Sequence, residues 1–143
     1  MVTARISHTT VDCTDAYALS TWWKQVLGYV DFADDPNEPG DEECLILDAR
    51  SGHRLLFVEV PDSDSAVKNS MHLDLRPQSG TRDEELDRLL DLGATVYADY
   101  RDIHGAGTGW VTLRDPEGNL FCILRHESEF EEPGSALQDD VAT

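Results

Sequence analysis

The sequence predicts an α+β fold of two βαβββ modules whose curved mixed sheets enclose a cleft. Three pairs of landmarks carry this reading. His8 and His72 sit in two similar strand patterns 64 residues apart. Gly28 in VLGYV and Gly93 in DLGATV each close a helical pattern, 65 residues apart. Gly52 in SGHRLLFV and Gly118 in EGNLFCIL each lead into an apolar run, 66 residues apart. Spacing this steady across so long a window marks a duplicated unit. A unit of about 65 residues buries too little surface to be secure alone. Two are therefore expected to pack as one domain over residues 1–126, with module one at 4–60 and module two at 70–126.

Each element follows from local chemistry. Residues 5–13, RISHTTVDC, are rich in β-branched types and read as a strand. Asp15 is placed to cap a helix in which Leu19, Trp22, Trp23 and Val26 form an apolar stripe, and Gly28 ends it. Residues 29–33 read as a short strand, followed by an acidic turn over 34–41 that holds Pro36, Pro39 and Gly40. Residues 44–48 and 54–60 form a hairpin around ARSGH. The polar stretch 61–70 suits a linker. In the second module, 71–76 is a strand and Thr81 with Glu84 has capping-box spacing. Leu86, Leu89 and Leu90 make the next helical stripe. Residues 94–98, 110–113 and 120–126 are strands, with RDIHGAGTG as a flexible loop and DPEGN as a turn. Residues 127–143 read as an acidic, disordered tail.

Bulk properties exclude several classes. A net charge of −18 argues against nucleic acid, whose phosphates need clustered Lys and Arg. Solubility or salt adaptation explains that charge most simply, and a negative mouth for cationic ligands is the sharper alternative. The three cysteines, Cys13, Cys44 and Cys122, are scattered and form no CxxC pair, which argues against a disulfide framework. No run reaches the roughly 18 apolar residues of a membrane span, and MVTARISH has no signal-peptide core. A cytoplasmic protein with no membrane partner is expected.

Strand alternation selects the candidate site. Leu73 and Leu75 share one face of MHLDL, while His72 and Asp74 share the other; in the first strand His8 lies with Thr10 and Asp12. Apolar positions should meet the helices, which leaves His8, His72 and Asp74 lining the cleft. Without a metal, the two histidines would simply line a polar pocket. Trp110 serves either as a stacking wall for a planar ligand or as a core aromatic. Gly105, Gly107 and Gly109 precede a strand and are followed by no P-loop lysine, so phosphate binding is rejected.

The paired modules, the opening strand with His8, the WWKQVLGY helix end, KNSMHLDL and DPEGNLFCILR together resemble the vicinal oxygen chelate superfamily over residues 4–126. This is the glyoxalase, bleomycin-resistance and dioxygenase group, and KNSMHLDL is most similar to its glyoxalase-like domains. The resemblance implies metal ligands His8, Glu59 and His72, with Glu59 also the catalytic base. It places Cys122 in the same cavity, where Asp74, from strand alternation, and Trp110, as a stacking wall, are the other candidate ligand-binding residues. It implies a divalent metal (Zn, Fe, Ni or Mn), a small-molecule ligand and a homodimer. One departure stands out. The family pattern DPxGNxxE ends on glutamate, and here that position is Cys122, which argues against ordinary glyoxalase I activity. A thiolate there would suit zinc; a small buried hydrophobe is the plainer reading. Two functions follow: a metal-dependent lyase, isomerase or dioxygenase acting on a small oxygenated molecule, or a metal-free protein that sequesters a planar or cationic compound.

Overall fold

The structure, a computed structural model, describes residue 3, residues 5–61 and residues 71–130. Most of the expected linker and the chain beyond residue 130 lie outside the described residues. The chain forms two compact units, each with a four-stranded mixed sheet and one helix. Unit one contains β1 (Thr9–Cys13), α1 (Ala16–Leu27), β2 (Val30–Asp31), β3 (Glu43–Leu47) and β4 (Arg54–Glu59), in sheet order β1-β4-β3-β2. Unit two contains β5 (Leu73–Leu75), α2 (Arg82–Asp91), β6 (Thr95–Asp99), β7 (Val111–Arg114) and β8 (Leu120–Ile123), in order β5-β8-β7-β6. Each module is therefore βαβββ, with its first strand parallel to its last. The duplication extends to the register. Thr10 stands opposite Leu56 in unit one, and Asp74 stands opposite Cys122 in unit two.

Capping fixes α1. Asp15 has extended backbone, its side chain accepts the Ala18 N–H at 3.0 Å, and Gly28 at φ +70° returns its own N–H to the Lys24 carbonyl. The buried stripe comprises Leu19, Trp22, Trp23 and Val26, with Ala16 and Ser20 beside it. It packs on β3 and β4, where Cys44, Ile46, Leu55 and Phe57 are wholly buried. Each such large side chain contributes about 1.5–3 kcal/mol. Trp22 and Trp23 meet edge to face, with centroids 5.1 Å apart. All three cysteines are buried and unbridged. No helix among the described residues is long and apolar enough to cross a membrane.

Strand β2 is only two residues long because the acidic turn departs at once, and a polar lock braces that departure. Asn37 donates its amide to Asp31 Oδ1 at 2.7 Å and to the Leu45 carbonyl at 2.9 Å, while Lys24 Nζ reaches Asp31 Oδ1 at 3.0 Å. Burial alone would raise the Asp31 carboxyl, but the hydrogen bonds from Lys24 and Asn37 outweigh it and hold the group below its ordinary value. The folded protein thus binds this proton more weakly than the unfolded chain does. The resulting stabilisation is present above the unfolded value of about 3.9 and is lost as pH falls through the lower folded value. Asp31→Asn should therefore flatten the acid limb of stability below about pH 4. Urea midpoints of both proteins, measured across that range, check this.

In α2, the Thr81 hydroxyl accepts the Glu84 N–H at 3.2 Å and lies 3.3 Å from Glu84 Oε1. Leu86 and Leu89 are buried on the sheet side, while Leu90, also expected in that stripe, is 38% exposed at its rim. The DPEGN turn is organised by the buried Asp115, whose Oδ1 accepts the N–H groups of both Glu117 and Asn119 at 2.9 Å. One expectation about the tail needs correcting. Residues 127–129 form a 3₁₀ turn, and Glu129 Oε2 accepts the N–H groups of His126 at 2.7 Å and Arg82 at 2.8 Å. The sequence reads there as the start of an acidic, disordered tail; in the structure the first of these residues are ordered and the Glu129 carboxylate caps the start of α2.

Candidate functional site

The candidate site lies on the sheet of unit two, on the face turned away from α2. Leu73 and Leu75 of β5 pair with Phe121 and Ile123 of β8, and α2 packs against β8 on this apolar side. Alternation puts His72, Asp74, Cys122 and Thr112 on the other side. There His72 Nε2 lies 3.2 Å from Asp74 Oδ1. A nitrogen of His72, a carboxylate oxygen of Asp74 and the Cys122 sulfur all fall within 4.8 Å of one another. Cys122 is buried, His72 half-buried and Asp74 exposed, so the cluster is sealed at its sulfur and open at its carboxylate. Thr112 Oγ1 lies 3.3 Å from Cys122 Sγ. Sequence reasoning did not single out Thr112. Its position opposite Cys122 follows from strand register, which the sequence leaves open.

Trp110 forms the adjoining wall, in one buried cluster with Cys122 and Leu124 and with Tyr100 packed against it. Its ring stacks on Tyr100 at 5.0 Å and 28°, and on the exposed His104 at 6.4 Å and 25°. Protein rings therefore already stack on the indole. The edge of the indole is enclosed as well: Nε1 is buried and has no hydrogen-bond partner among the described residues.

The loop carrying His104, expected to be flexible, is closed by its own hydrogen bonds. Asp102 Oδ1 accepts the Gly107 N–H at 2.6 Å, Thr108 Oγ1 donates to the Gly105 carbonyl at 2.7 Å, and the Asp102 N–H reaches the Thr108 carbonyl at 3.0 Å. Gly105, Gly107 and Gly109 all have positive φ, which accounts for their spacing without any nucleotide. Arg82 ties the loop to α2. Its buried guanidinium donates to the carbonyls of Thr108 and Gly109, each at 2.8 Å, directly before Trp110. Arg82 too went unnoticed in the sequence, because an arginine in the first turn of a helix ordinarily faces solvent.

The remaining sequence-selected residues belong to unit one. His8 is exposed, with Nδ1 3.0 Å from Ser7 Oγ. Glu59 departs from the face expected for it. It stands opposite Cys13 on the α1 side of the sheet, and its Oε1 accepts the Ala16 N–H at 3.3 Å. It therefore caps the start of α1, on the other sheet face from the one strand alternation assigns to His8. The register explains the departure: the residue of β4 corresponding to Cys122 is the apolar Leu56, three positions before Glu59.

The donor set fits a divalent ion. Nitrogen, oxygen and sulfur ligands at about 2.0–2.3 Å in a tetrahedron lie roughly 3.3–3.8 Å from one another. The His72–Asp74 separation of 3.2 Å is close to that range, and the 4.8 Å spread closes with side-chain shifts of about 1 Å. Three protein ligands would leave a fourth position for a small molecule.

Comparisons with known proteins agree on the architecture. The chain superposes on a glutamate-to-glutamine mutant of the fosfomycin resistance protein FosX from Listeria monocytogenes, complexed with Mn(II) and 1S,2S-dihydroxypropylphosphonic acid. That match has a TM-score of 0.62 at 16% identity and covers 86% of this chain and 90% of the other. FosX from Mesorhizobium loti matches with a TM-score of 0.59 at 13% identity, over 86% of this chain and 92% of that one. A possible glyoxalase from Bacillus cereus matches with a TM-score of 0.57 at 14% identity, over 85% and 99%. No curated protein sequence matches the chain. The sequence profile of the glyoxalase-like domain matches residues 8–124, and the chain belongs to that family, within the vicinal oxygen chelate superfamily.

Proposed function

We propose that this protein acts on a small oxygenated molecule at the face carrying His72, Asp74 and Cys122, with these three residues holding a divalent metal ion. The observation that carries this reading is the convergence of three chemically distinct ligand atoms within 4.8 Å on one sheet face. The FosX relative with Mn(II) and a vicinal diol phosphonate supports a ligand that presents neighbouring oxygens. A bound metal would supply Lewis acidity toward such an oxygen, the chemistry shared by lyases, isomerases and dioxygenases. The chain's own residues do the rest. Trp110 and Leu124 exclude water beside the sulfur, and the buried, unpartnered Trp110 indole N–H is the donor that a ligand acceptor entering this wall would satisfy. Glu59, engaged at the start of α1, is left out of this constellation. Cytoplasmic location and homodimeric assembly belong to the same proposal.

A second reading, metal-free sequestration of a planar compound, is favoured by the unpartnered Trp110 Nε1 beside an aromatic stack. Metal analysis separates the two. Protein purified without chelator should hold stoichiometric metal. His72→Ala should weaken binding by at least the 10- to 100-fold that loss of even an outer-shell partner costs. Protein without metal in both forms, under metal-replete expression, would leave only sequestration.

A further inference from the structure

We infer that Cys122 makes this site selective for a thiophilic metal of the zinc class over a hard cation such as manganese. The inference rests on the metal-site reading above and adds to it the identity of the ion. Its starting point is the chemistry of the three donors. Asp74 is a hard oxygen donor, His72 is intermediate, and the Cys122 sulfur is soft. Hard cations prefer sites built from oxygen and nitrogen, whereas thiolate favours zinc and its relatives.

The surroundings of the sulfur strengthen the case. Cys122 is 2% exposed and packs with Trp110 and Leu124, so a thiolate there is poorly solvated unless a cation stands beside it. A dication held by His72 and Asp74 would supply that charge from the open side of the cluster. Thr112 Oγ1, at 3.3 Å, is placed to donate a hydrogen bond to the sulfur from within the same sheet. A hydroxyl donor behind a thiolate ligand stabilises its charge and fixes its direction. The sulfur thus has a cation site on one side and a donor on the other. A cysteine serving only as core filler needs neither.

Cobalt(II) is the direct probe, because a thiolate ligand produces a near-ultraviolet sulfur-to-cobalt charge-transfer band in addition to the visible ligand-field bands. The protein loaded with cobalt should show both. Cys122→Ser should lose the charge-transfer band and keep ligand-field absorption. Visible bands without charge transfer in the unmodified protein would overturn the inference while leaving the metal site standing. Failure to bind cobalt or zinc at all would overturn the site itself. Cys122→Glu, checked for folding by circular dichroism, guards against a serine variant that does not fold. Replacing the soft donor by a hard one should lower the zinc-to-manganese affinity ratio by at least about tenfold in chelator competition. An unchanged ratio would also overturn the role assigned to Cys122.

Discussion

Replacing Arg82 with leucine should cost about 2–4 kcal/mol of unfolding free energy, although the residue is not one of the candidate ligands. The guanidinium donates to two backbone carbonyls, Thr108 and Gly109, and its Nε lies 3.0 Å from Asp83 Oδ1. Leucine matches much of the apolar stem but removes this donor from the Gly109 carbonyl, while the Thr108 carbonyl keeps the Asp102 N–H. A buried unsatisfied polar group costs about 1–3 kcal/mol, and a hydrogen bond from a charged donor is worth about 1.5–3 kcal/mol. Loss of the Asp83 contact adds little, since that carboxylate is 58% exposed and keeps Arg101 at 3.3 Å. Arg82→Lys should fall between the two proteins: both carbonyl bonds leave the single nitrogen Nη1, which an ammonium can replace in part, but lysine has no second nitrogen to keep the Nε contact with Asp83. Urea denaturation gives the magnitude, and amide exchange over residues 100–110 locates it. A loss below about 1 kcal/mol, or exchange unchanged in that loop, would show that the loop is held by other means.

Two different amounts of information about this protein were legible in its sequence. The architecture was written in redundant signals. Asp15 and Gly28 bracket α1, Thr81 caps α2, and the glycine landmarks repeat at nearly constant spacing, so each element was indicated more than once. Alternation also placed His72 and Asp74 together, since a period of two needs only one strand to be read correctly. Register is a different quantity, set by pairing between distant segments. Glu59 went to the wrong face because its assignment rested on family position, whereas the pairing of Thr10 with Leu56 makes Leu56 the counterpart of Cys122. The strand ends were equally hard to read. β1 begins at Thr9 and β5 ends at Leu75, because pairing stops before the β-rich composition does. Arg82 and Thr112 are invisible to any local rule; each matters through a residue 10 or more positions away.

Gly109→Ala should be more damaging than any other alanine substitution in the GAGTG loop, costing at least about 3 kcal/mol in all. Two separate penalties meet at this position. Its φ of +86° is a conformation that L side chains rarely adopt, which costs about 1–2 kcal/mol for alanine. In addition, a Cβ built there would overlap the Tyr100 carbonyl oxygen, with the Tyr100 carbonyl carbon at 2.9 Å and Arg101 Cα at 3.1 Å. These are backbone atoms, so no side-chain rotation relieves the overlap. The two chain segments must separate, which strains the Tyr100 N–H to Trp110 carbonyl bond at 2.9 Å and the Arg82 bond to the Gly109 carbonyl. Gly107→Ala is the matched control. Its φ is +80° and nothing lies within 4 Å of the added carbon, so it should show the conformational penalty alone. Comparing the two variants by urea denaturation isolates the steric contribution, and Trp110 should become more solvent-accessible only in Gly109→Ala. Equal losses in both variants would mean that the close approach of residues 100 and 109 does not hold the indole in place beside Cys122.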